Sequence, residues 1–93
     1  MTRKPDDNQC HAYFRTREIT ARMSARLSSS EEELILDASD ALLFGEADGK
    51  DKLDDVFALR DELVAQARIS RNEAAELLDA VHGCAGHGVS PDV

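Results

Sequence analysis

Cys10 and His11 stand near one end of the sequence, and His82, Cys84 and His87 stand near the other. Two thiolates and two imidazoles make a tetrahedral zinc donor set, and Cys10, His82, Cys84 and His87 together supply one. The spacing contains no C-x2-C knuckle, so a zinc site competes with a Cys10–Cys84 disulfide and with two plain free thiols. Topology favours the metal: in an up-down four-helix bundle, the start of the first helix and the end of the fourth share a pole.

Two further spacings suggest chemistry. The run from Glu46 to Asp55 has the outline of a calcium loop around Gly49. With Gly49 in the glycine position, however, Phe44 falls on the first ligand and Lys52 on the ninth, and Asp55 replaces the terminal Glu. Those departures read as the end of one helix and the start of another. Residues 63–78, from Leu63 to Leu78, resemble a helix-turn-helix, with Ile69, Ser70 and Arg71 entering the recognition helix. Arg68 replaces the usual turn glycine, and Glu73, Glu76 and Asp79 would meet phosphate unfavourably. DNA binding is therefore the runner-up reading and nucleic acid a disfavoured partner.

Catalysis finds little support. Ser28, Ser29, Ser30 and Ser70 have the position of helix caps. The pairs Asp54-Asp55 and Asp61-Glu62 suit a solvated face, and no glycine-rich phosphate loop follows a strand pattern. A non-enzymatic protein is expected.

The elements that position these groups are helical throughout. The 93 residues are 42% apolar and 32% charged, with 4% aromatic residues and no Trp. One small domain fits that length. An arm is expected over residues 1–9, a single domain over 10–83 and a loose tail over 84–93. Helices are expected over 11–27, 31–44, 51–68 and 71–82, which makes the fold class all-α, a small four-helix bundle. Ser30 with Glu33 and Ser70 with Glu73 have the spacing of capping boxes, and Gly45 and Gly83 suit helix stops. No β-period segment and no internal repeat is evident. Apolar runs reach four residues, as in Ala41-Leu42-Leu43-Phe44, where a membrane span needs about twenty. The first thirty residues show no apolar signal core, so a cytoplasmic location is expected. Eight Arg against three Lys, with abundant Ala, is a usage compatible with a bacterial or phage source.

Charge and hydrophobicity point to a protein partner. Net charge is −8, yet residues 1–27 carry +3 and the remainder −11. Arg15, Arg22 and Arg26 form a stripe on the first helix, suited to an acidic surface on this chain or another. On the second helix Leu34, Ala38, Ala41 and Leu42 form a core stripe, and Leu36 with Leu43 opens a second apolar face. That face either receives a neighbouring helix or serves as a partner surface or homodimer seam. Arg60 projects into the apolar face of the third helix and is expected to reach Asp37 or Asp40. The expected function is thus a small regulatory or inhibitor-type protein. Leu36 and Leu43 would anchor its partner, and Arg15, Arg22 and Arg26 or the acidic face would orient it. Zinc is the only cofactor that the residue types suggest.

Overall fold

The computed structural model describes residues 6–85, and all of its regular structure is helical. The elements are α1 (Asp7–Arg22), a short 3-10 turn (Ser24–Arg26), α2 (Ser29–Leu43), α3 (Gly49–Ala65) and α4 (Arg71–Gly83). The expected bundle is present. α1 packs on α2 and α4, α3 packs on the same two helices, and α2 also touches α4 across the centre.

Local chemistry explains the helix starts, several of which differ from expectation. Asp6 accepts from the Gln9 backbone N–H at 2.8 Å, and the Gln9 side chain returns the bond at 3.0 Å. This capping box starts α1 at Asp7, inside the expected arm. Ser28 with Glu31 forms the box that opens α2, in place of Ser30 with Glu33. Each of the three serines precedes a Glu by three residues; Ser28 wins because Leu27, next to it, is buried in the core. Ser70 caps α4 as expected, with Glu73 completing the box. At the other end Cys84 and Ala85 are buried, so they belong to the domain and not to a tail.

Ile19, Met23 and Leu27 meet Ile35, Leu59, Leu63, Ile69 and Leu77 in the core. Every buried side-chain nitrogen or oxygen among the described residues has a hydrogen-bond partner. The hydroxyls of Thr16, Thr20 and Ser39 manage this by donating to carbonyls four residues back, at 2.7–2.9 Å. Arg60 reaches neither Asp37 nor Asp40. Its guanidinium lies 5.5 Å from the Phe57 ring centroid and donates to Asp61 at 2.8 Å, a shorter reach that keeps the charge wet. Ala67, just past α3, holds φ at +56°.

The chain does contain an internal repeat. Ala25-Arg26-Leu27-Ser28 and Glu31 match Ala67-Arg68-Ile69-Ser70 and Glu73, and Leu36-Asp37-Ala38 matches Leu78-Asp79-Ala80. Burial repeats with the sequence: Leu27, Ile35, Ala38 and Leu43 are enclosed, and so are Ile69, Leu77, Ala80 and Ala85. α1 and α3 follow the repeat less closely, because their buried positions (Thr16, Ile19 and Met23; Val56, Leu59 and Leu63) are forty apart instead of forty-two. That shift hides the repeat from a reading of residue types alone.

Candidate functional site

The arginine stripe of α1 and the 3-10 turn after it meets an acidic stripe of α4. Arg15 pairs with Asp79 at 3.0 Å, Arg22 approaches Glu76 at 3.5 Å and Arg26 binds Glu73 at 2.7 Å. These three arginines are therefore engaged by the chain's own acids, the first of the two acidic surfaces that such a stripe suits. Isolated surface pairs contribute little to stability, and these mark the charge match between the two helices more than they hold them together.

At the bundle pole where α1 gives way to α2, and α3 to α4, the two copies of the repeat interlock. Arg68 donates to both Glu31 oxygens at 2.5 and 3.0 Å and to the Arg26 carbonyl at 2.6 Å. In return Arg26 donates to both Glu73 oxygens at 2.9 and 2.7 Å and to the Arg68 carbonyl at 3.3 Å. Each glutamate thus completes a capping box and accepts a forked guanidinium. The bonds from Arg68 and from the Ser28 backbone hold the Glu31 carboxyl down at about 2. Glu73 lies at about 2 as well, held there chiefly by Arg26 and then by the Ser70 backbone. Such bidentate pairs carry geometric specificity beyond their charge.

The opposite pole carries the residues proposed for zinc. The Cys84 thiol is fully enclosed, donates to the Ala80 carbonyl at 3.5 Å and lies 3.8 Å from the Thr16 hydroxyl. Burial pushes that thiol's pKa up, which disfavours the thiolate a metal needs. Gln9 donates to the Cys84 carbonyl at 2.9 Å, so the poles of α1 and α4 do meet as expected. His82 is exposed while Cys84 is enclosed, Cys10 is half-buried, and His87 lies outside the described residues. No three metal-ligating side chains converge among the described residues, and both cysteines are unpaired. The calcium-like run is helical from Gly49 onward, so Asp51, Asp54 and Asp55 sit on α3 and not in a loop.

On α2, Leu43 is buried at 7% exposure, packed into the protein, and so is corrected as a partner anchor; Leu36 is half-buried. Glu33, Asp37 and Asp40 form the wet edge that their spacing implies. In the segment resembling a helix-turn-helix, Ile69 is core and Arg68 is held in the interlock; Arg71 is exposed. Glu76 and Asp79 lie beside the arginines of α1, and Glu73 is bound by Arg26 of the 3-10 turn.

The side chain that residue typing missed is Phe14, 68% exposed on α1. Tyr13 meets it edge-on with centroids 6.2 Å apart, and Arg17 lies 6.0 Å from the Tyr13 ring. Beside Phe14 an open depression of about 310 Å³ is lined by His11, Arg15, Glu18, Arg22 and Glu76. The signal was available in the sequence. At 100° per residue, Phe14 falls about 200° around the helix from Ala12, away from the buried arc. Comparison with protein-family models, with curated proteins and with solved structures finds no match.

Proposed function

We propose that the chain is a small non-enzymatic protein of regulatory or inhibitor type that acts by binding another protein through the outer face of α1. The observation that carries this reading is Phe14, 68% exposed against 38% for Phe44, the other exposed large apolar side chain among the described residues. Burying a phenylalanine against a partner releases about 1.5–3 kcal/mol, and aromatic anchors within a charged rim commonly dominate binding. The anchor thus moves from Leu36 and Leu43 on α2 to Phe14 on α1. The paired charges of Arg15, Arg22 and Glu76 form its rim.

The test is capture from the host's own lysate with the tagged chain, comparing wild type with Phe14→Glu after both show the same helicity. The variant should lose the captured protein. Equal recovery by the two proteins would overturn Phe14 as the anchor.

A further inference from the structure

The four charged groups of the interlock all cross between the two halves of the chain. Arg26 and Glu31 come from the joint between α1 and α2; Arg68 and Glu73 come from the joint between α3 and α4. The joints are the same sequence written twice: Arg, Leu or Ile, Ser, two variable residues, Glu. Each arginine takes the other joint's carbonyl and the other joint's carboxylate, as a two-fold relation requires. Away from the joints the halves remain mutual partners, with α1 against α4 and α2 against α3. Between them runs Phe44 to Asp48, an exposed connection in which Gly45 takes φ +66° and a Cβ at Gly45 would meet nothing within 4 Å. The halves are thus held by side-chain contacts, with a short exposed link between them that is closed by three local backbone hydrogen bonds, Gly45 to Leu42, Glu46 to Ala41 and Gly49 to Glu46, at 2.9–3.3 Å.

We propose that the partner this inter-half surface fits is a second copy of this chain. The helix pair α1–α2 of one copy docks on α3–α4 of the other, and reciprocally, with the link around Gly45 opened. Such exchange remakes the contacts between the halves in trans and gives up only the turn bonds of the opened link, Glu46 to Ala41 among them, which is why it is a low-cost route to a dimer. The exchanged dimer contains two interlocks, each with one joint from each copy. This inference is independent of Phe14, which lies outside the interlock.

Two full-length charge-reversal variants test it. Arg26→Glu with Arg68→Glu makes every interlock position acidic; Glu31→Arg with Glu73→Arg makes every one basic. Each variant alone places like charges in contact. Only exchange between the two variants restores all four pairs, since an acidic joint then always meets a basic one. Their formal net charges become −12 and −4, so overall attraction does not drive them together. After co-refolding, native mass spectrometry should show a 1:1 heterodimer at twice the 10.2 kDa chain mass. The mixture should also melt above either variant alone. If the separate variants fail to fold, helicity should return on mixing. Absence of the heterodimer overturns the proposal, and so does a heterodimer that melts no higher than its components, because a face-to-face dimer leaves the like charges in place.

Discussion

Ala67 and the two joint glutamates show how single residues carry the turns of this protein. Ala67 sits at φ +56°, where a Cβ crowds the backbone and glycine rests without strain. Ala67→Gly should raise stability by about 1 kcal/mol in denaturant unfolding, against the usual loss for glycine. An unchanged or lower value would show that the turn relaxes around alanine. Glu31 and Glu73 titrate at about 2 in the fold, below the usual carboxylate range. A carboxyl whose pKa is lowered by folding stabilises the fold above its unfolded pKa, and that contribution fades as pH falls through the folded value. Wild type should therefore exceed Arg68→Leu in stability at neutral pH, and the gap should close between about pH 4.5 and 2. A gap that persists at pH 2 would assign the effect of Arg68 to packing and to the Arg26 carbonyl.

Among the elements, the contact of α1 with α4 is set by close approach as well as by charge. A Cβ built on Gly83 would lie 2.9 Å from the Ala12 methyl, too near for two helices to keep their separation. Gly83→Ala should cost about 1–3 kcal/mol by overpacking, and adding Ala12→Gly should recover part of that loss. Strictly additive costs would mean that the helices do not touch there. The helices themselves were legible from residue types. Ser70 with Glu73 marks the start of α4 in the sequence as in the structure. Other features depended on competition between equivalent local signals. Three serines with matching glutamates left the start of α2 degenerate until the burial of Leu27 chose Ser28. The Asp6–Gln9 box went unread because both residues lay in a polar segment that resembles an arm. Ile35 is central to the core, whereas Leu34 and Leu42 of the expected stripe on α2 are only partly buried against it. For the candidate site, the arginine stripe was visible, but its acidic complement on α4 became evident only once the two helices were side by side.

For the molecule as a whole, the divided charge has a structural meaning: the basic N-terminal segment lies along the acidic face of α4. What stays outside this self-neutralisation is the aromatic face of α1. Phe14→Glu should leave stability within about 0.5 kcal/mol of wild type, as expected for a surface change, so lost capture would report recognition and not unfolding. The mirrored joints have one more consequence. A substitution that reshapes one of them misaligns a partner forty-two residues away that is nearly its own copy. Damage at either joint is therefore felt at both, so the two joints fail together although they lie in opposite halves of the chain.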